Sequence, residues 1–191
     1  MILTRNDLKE YIAADALACG RNTVRPRLYM DLEWKFQLAL RKKEYYKNQK
    51  GLKKLLLLPL TVLAYYRCDS MGARLGLHIP CNVFDKGLSI AHCGTIAVNG
   101  TCVVGKNCRI HEGVTLGSTN GSLGPRLGDN VFIGSGAKII GAVSIADDVA
   151  IGANAVVVKS ILEAGTTWAG NPARKISDNN SHANLNQKLF I

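Results

Sequence analysis

The stretch that decides the fold runs from Leu127 to Val157: LGDNVFIGSGAKIIGAVSIADDVAIGANAVV. An aliphatic residue returns at every sixth position, Leu127, Ile133, Ile139, Ile145, Ile151 and Val157. Four residues after each of the first five comes a second small or apolar side chain: Val131, Ala137, Val143, Val149 and Ala155. A helix repeats at about 3.6 residues and a strand at about 2, so neither sustains a beat of six. A hexapeptide period marks a parallel β-helix, in which each short strand is one wall of a coil. Upstream the beat runs through Val98, Val104, Ile110 and Leu116, with Cys102, Cys108 and Val114 at the small position. Ten residues, Gly117 to Arg126, separate Leu116 from Leu127. A hexapeptide needs about five there, so about five should bulge as a loop. Further back, Phe84, Ile90 and Ile96 keep a beat two residues out of step with Val98, and the register slips near Ile96.

Residues 1–76 read as an N-terminal helical segment, 79–169 as the β-helix, and 170–191 as a C-terminal loop with a loosely held tail. Thr4 with Asp7 resembles a capping box, and Leu8, Tyr11, Ile12 and Ala16 share the helical face that follows. Gly20 is a stop signal. A second helix is expected from Asp31 to about Lys47, with Leu32, Phe36 and Leu40 in register. A third runs from about Leu52 into Asp69, kinked or restarted at Pro59. Such helices would cap the open end of the coils, which otherwise exposes unpaired strands.

The chain has 191 residues, 47% of them hydrophobic, which excludes a disordered protein. Its longest apolar run, Leu55 to Ala64, is far short of the ~20 residues needed to span a bilayer. Lys53, Lys54 and Arg67 flank that run, so peripheral membrane contact is left open, although a buried helix packed on the first coil is the expectation. Met1 to Asp7 shows no apolar leader. The cysteines at 19, 68, 81, 93, 102 and 108 form no CxxC pair. A cytoplasmic protein with reduced thiols follows. Four histidines without HExxH spacing give no metal motif, and no metal is expected. Lysine and arginine number 24 against 14 acids, a formal charge of +10. No nucleic-acid motif accompanies that charge, so an anionic small ligand is expected instead.

The residues Ile90-Ala91-His92-Cys93-Gly94-Thr95-Ile96-Ala97-Val98, Val114 to Thr119, Ile133 to Gly141 and Ala169-Gly170-Asn171-Pro172-Ala173-Arg174 together resemble the hexapeptide-repeat acyltransferases, in their serine acetyltransferase-like branch. The resemblance covers residues 79–176, about half of the chain. It implies a left-handed β-helix, triangular in section, and acetyl-CoA bound between subunits of a homotrimer, with pairing of two trimers left open. It also carries His92 over as the general base that takes the proton of a hydroxyl acceptor. Counted from Ile90, His92 should point outward; counted from Val98, it would point into the core. The same resemblance gives Ser118, Thr119, Ser135 and Ala153 to the pantetheine arm of acetyl-CoA, and Lys159 and Arg174, with Lys175, to its phosphates. His111, Glu112 and Asp85 are lesser helpers, and His78 and His182 are incidental. Adjacent Cys93 should face away from His92, which argues against a covalent acyl-enzyme.

The chain departs from the serine enzymes in its acceptor pocket. Ala91 stands where they have an aspartate before the histidine, and Gly124 where they have a second histidine before a proline. No anionic partner for an amino-acid ammonium is evident in the sequence. These departures point to another hydroxyl, and the similarity of short, basic chains of this branch to the O-acetyltransferases of surface polysaccharides implies acetyl-CoA-dependent O-acetylation of a sugar hydroxyl, on a surface polysaccharide or its precursor. Serine O-acetylation for cysteine synthesis and a non-catalytic β-helix scaffold are the alternatives.

Overall fold

The computed structural model describes residues 1–191. Helices come first: α1 (Arg5–Ala18), α2 (Leu32–Lys47), α3 (Gly51–Leu56) and α4 (Leu58–Leu75). Thr4 caps α1 in the expected capping box: its hydroxyl accepts from the Asp7 amide, and the Asp7 carboxylate accepts from the amide of Thr4. Asp31 caps α2 from a left-handed conformation, where Arg21 and Arg27 pair with its carboxylate at 2.8 and 2.7 Å. The third predicted helix divides at Leu57, and Pro59 sits in the first turn of α4, where a missing amide costs nothing.

Strands of two to four residues then form three parallel faces. One stacks Leu77–His78, Ile96–Val98, Thr115–Gly117, Lys138–Ile140 and Val156–Val157. A second stacks Val103–Val104, Arg126–Leu127 and Ser144–Ile145. The third runs from Ser89–Ile90 through Arg109–Ile110, Phe132–Ile133 and Ala150–Ile151 to Thr167–Ala169, and Arg174–Ser177 closes it antiparallel. Leu127 lies beside Ile145 and Ile133 beside Ile151, each eighteen residues on, which is three hexapeptides. The predicted loop is real: Leu116 pairs with Ile139, twenty-three residues on. So is the slip: Ile90 pairs with Ile110, twenty residues on, and both Ile96 and Val98 point inward. The two additional residues therefore lie in the corner after Ile90.

The aliphatic column is the core. Ile110, Ile133, Ile139 and Ile151 are completely buried, with Val114, Val131, Ala137, Val149 and Ala155 between them. Burying each large side chain contributes about 1.5–3 kcal/mol. A second device supports the corner before the third face. Asn107, Asn130 and Asp148 adopt left-handed backbone and stack, their side chains bonded in sequence at 2.8 and 2.9 Å.

The helices are riveted to the first coil by one buried cation. The Arg41 guanidinium donates to Asp15 at 2.7 and 3.1 Å and to Glu44 at 2.9 Å. It also donates to the carbonyls of Phe84 and Asp85 at 2.9 and 2.7 Å. Asp15 in turn accepts from the amides of Gly87 and Leu88. Backbone groups of a terminal coil, which lack another coil to bond, are thus satisfied by side chains.

Four expectations need correction. Leu32 is exposed while Phe36 and Leu40 are buried, because the helix turns its first residue away from the coil. Ile12 is half-buried, and Asp15 takes the inner position for Arg41. The stretch Leu52–Arg67 is not a buried helix. No residue of α3 is buried, and the fully buried residues of α4 are small Ala64, Cys68 and Gly72, with Met71 and Leu75 half-buried against the core near its end and the helix packed on α2. A side chain at Gly72 would meet the Leu77 carbonyl at 2.5 Å, so this contact admits no large residue. The tail, finally, is docked. Ser181 and Leu185 are buried, His182 bonds Asp148 at 2.8 Å and stacks on Phe190, and Asn186 bonds the Leu17 carbonyl. His182 is thereby an anchor at the end of the asparagine ladder. The chain contains no helix long and apolar enough to cross a membrane.

Arg41→Ala leaves Asp15 and Glu44 buried without their cation. It should cost about 3–5 kcal/mol in urea-induced unfolding.

Candidate active site

Four strands of the third face end in Ile90, Ile110, Ile133 and Ile151, held side by side by parallel pairing. Two residues after each stand His92, Glu112, Ser135 and Ala153, so register alone lines these four along one edge. His111 occupies the intervening position on its coil, where the neighbouring coils have Ala91, Gly134 and Gly152. The glycine places are cramped: a side chain at Gly134 would meet the Ala153 amide at 2.7 Å.

The expanded corner holds His92 outward. The ring is exposed, as the count from Ile90 predicts and the count from Val98 does not. Gly94 has a φ of 148°, and a side chain there would meet the Glu112 Cβ at 2.8 Å, so glycine lets the corner close over Glu112. The Cys93 amide donates to the Glu33 carboxylate at 3.0 Å, tying the corner to the first turn of α2. Burial and that carboxylate push the Cys93 thiol up to about 11, which keeps it protonated and unreactive.

His92 and His111 meet edge to face with ring centres 5.6 Å apart, and Phe132 backs His111 at 5.2 Å. Nδ1 of His111 lies 3.4 Å from Ser135 Oγ and 3.9 Å from Glu112 Oε2. That carboxylate oxygen is hidden from solvent and has no hydrogen-bond partner. Burial, then Arg109 and His92, lower the His111 pKa below the ordinary imidazole value, with Glu112 opposing. Ser135 and Glu112's own amide hold the Glu112 carboxyl below its usual range. For Glu33 burial acts the other way, but its own amide, Cys93 and His92 win and its carboxyl is lowered too. The edge thus presents an exposed imidazole, a neutral second imidazole and carboxylates held anionic. Such a set can accept a proton, orient a hydroxyl and attract a cation. Ligand atoms of His92, His111 and Glu112 all lie within 4.8 Å of one another. Two imidazoles and a carboxylate are also a donor set for a divalent transition metal.

The other expected residues divide. Ser135 and Ala153 share the His92 edge. Ser118 and Thr119 follow Leu116 on the next corner, stacked with Gly141 and Lys159 through the pairing of Leu116, Ile139 and Val157. Ser118 accepts from Asn99 at 3.1 Å, and Thr119 opens the loop. Lys159 and Arg174 line one cavity of about 310 Å³ with Ser160 and Trp168, and neither pairs with an acid. Lys175, by contrast, is taken up by Glu163 and Asp178, both at 2.5 Å. Asp85 is no helper at this site: it accepts from the Tyr11 hydroxyl at 2.6 Å beneath α1. Glu33 went unforeseen, since nothing local links residues 33 and 93. Its place in the first turn of α2 is the only trace.

The model of the bacterial transferase hexapeptide (six repeats) family matches residues 124–159. The serine acetyltransferase of Helicobacter pylori is 40% identical over 109 residues, 56% of this chain and 58% of that protein. The chain carries hexapeptide repeats and is built like the serine acetyltransferases. Among solved structures, the Neisseria gonorrhoeae serine acetyltransferase in complex with serine matches this hexapeptide-repeat protein with a TM-score of 0.69 and 26% identity. That match covers 91% of this chain and 70% of the other. The Brucella abortus serine acetyltransferase in complex with coenzyme A matches at 0.64 and 28%, over 92% and 68%. The fold is accordingly the left-handed parallel β-helix with N-terminal helices. The hexapeptide-repeat chain spans little more than half the length of the H. pylori relative.

His111 should lose its proton below about 6.5, the value of a free imidazole. Arg109→Gln removes a cation that opposes protonation, so the His111 midpoint should move up in histidine ¹⁵N NMR titrations.

Proposed function

We propose that this protein is an acetyl-CoA-dependent O-acetyltransferase with His92 as general base, and that serine is its acceptor. The observation that carries the reading is the exposed His92 imidazole beside the unpartnered oxygen of Glu112. An alcohol is a poor nucleophile while it keeps its proton. His92 takes that proton as the hydroxyl oxygen bonds to the thioester carbonyl carbon. The carbon–sulfur bond then breaks, and the departing thiolate recovers the proton from the His92 imidazolium. A positioned base supplies about 10²–10⁴-fold.

The acceptor assignment reverses the sequence-based preference for a sugar hydroxyl. That preference rested on the absence of an anion for an amino-acid ammonium. Glu112 and Glu33 lie at the His92 corner and meet that need, although both are remote from His92 in sequence. The similar proteins are serine acetyltransferases, one of them holding serine. Nothing at the site favours a sugar or a scaffold.

The residues assigned to acetyl-CoA suit the molecule. Ser135 and Ala153 leave the edge beside His92 uncrowded for a thin arm, and a similar protein binds coenzyme A. Lys159 and Arg174 offer unpaired cations to phosphates in their shared cavity. Ser118 and Thr119 lie across the five-stranded face from His92, so one acetyl-CoA reaches both corners only if a second copy supplies one of them. A homotrimer with sites between neighbours meets that condition.

With serine as sole acceptor, the protein should release free thiol from acetyl-CoA and yield a product of O-acetylserine mass. Turnover with a glycan panel and none with serine would refute the acceptor. His92→Ala should lower kcat at least ~100-fold while circular dichroism and assembly mass stay unchanged.

A further inference from the structure

A run of exposed hydrophobic side chains extends along α3 and the first half of α4. Leu52, Leu55 and Leu56 are 71%, 66% and 71% exposed, and Val62 and Tyr66 are 62% and 69% exposed. Scattered exposed leucines are ordinary, but a contiguous set on one element marks an interaction surface. Small Ala64, Cys68 and Gly72 are the buried residues of α4, and of its large side chains Met71 and Leu75, near the C-terminal end, pack against the core, while Leu58, Leu60, Val62 and Leu63 are exposed.

The charges around this surface have one sign. Lys50, Lys53, Lys54 and Arg67 lie between residues 50 and 67, and no acid does. None of the four makes an ion pair. The nearest acids are committed elsewhere: Glu44 is buried on Arg41, and Asp69 pairs with Lys43. Beside the apolar surface, the groove between α2 and α4 adds Lys35 and Lys42. A second copy packed face to face would set this cationic rim against itself, which disfavours a twofold contact between copies.

We propose that α3 and the start of α4 dock on an anionic lipid bilayer. The leucines enter the boundary between headgroups and acyl chains, and the lysines meet the lipid phosphates. Lysine stems are long enough to lie along apolar surface while the ammonium stays among headgroups. The placement also keeps the candidate active site in water. The first turn of α2 holds the His92 corner through Glu33, and α3 follows the last turn of that helix. A helix of 16 residues is about 24 Å long, so the His92 corner stands roughly that far from α3. The proposal does not depend on which acceptor is acetylated.

Flotation of the full chain with phosphatidylcholine vesicles, with and without phosphatidylglycerol, tests it. The protein should float with the anionic vesicles, stay behind with the neutral ones, and be released as salt rises. The paired substitution Lys53→Glu and Lys54→Glu should weaken the partition at least about tenfold. Leu55→Ser with Leu56→Ser should do the same without lowering the thermal midpoint, since neither side chain is buried. Failure to float with anionic vesicles would overturn the proposal, as would binding that ignores the leucine pair. So would a fall in assembly mass on light scattering when the leucines are replaced, which would assign the surface to contacts between copies.

Discussion

Ile90, Ile110, Ile133 and Ile151 lie directly beside one another because the amides of each coil bond the carbonyls of the next. Ser89 donates to Cys108, Arg109 to Val131 and Phe132 to Val149, at 2.9 to 3.0 Å. This parallel registration is the constraint on which the rest of the molecule depends. It brings residues about twenty positions apart in sequence to adjacent rungs of one corner. It also forces every corner residue either to fit between its neighbours or to be glycine.

The candidate site exploits a departure from that registration. Two additional residues expand the corner after Ile90, where His92 points outward beside His111 on the coil beyond. An expanded corner has lost ladder bonds and needs other support. Glu33 supplies it through the Cys93 amide, and the left-handed turn at Gly94 gives Glu112 room beneath. The helical layer therefore does more than cover the open end. Arg41 fixes the layer to the first coil, and Glu33 uses that fixed position to hold the corner that carries the imidazole.

The coils were legible almost residue by residue. The inward column, the loop between Leu116 and Leu127 and the slip near Ile96 all follow from a period of six, since each coil repeats the same local geometry. Helix starts were legible where capping chemistry is local, as at Thr4 and Asp7. Burial of the helices was less so. Leu52, Leu55 and Leu56 read as core by composition, yet they are exposed because α4 packs through small residues. The tail read as loose because nothing near it in sequence predicts that Asp148 and Asn130 await His182 and Ser181.

The amino-acid sequence by itself determined the repeat, its inward column and the place of His92 in a slipped corner, while the outward direction of its ring came from the structure, because spacing along a single strand fixes only what lies in register. Only the tertiary structure decided what surrounds that imidazole. His111 and Glu112 lie beside His92, Ser135 reaches His111 from the next coil, and Glu33 of α2 holds the neighbouring Cys93 amide. Contacts between groups so far apart in the chain are made by packing and stacking, which leave no periodic mark in the residues that make them.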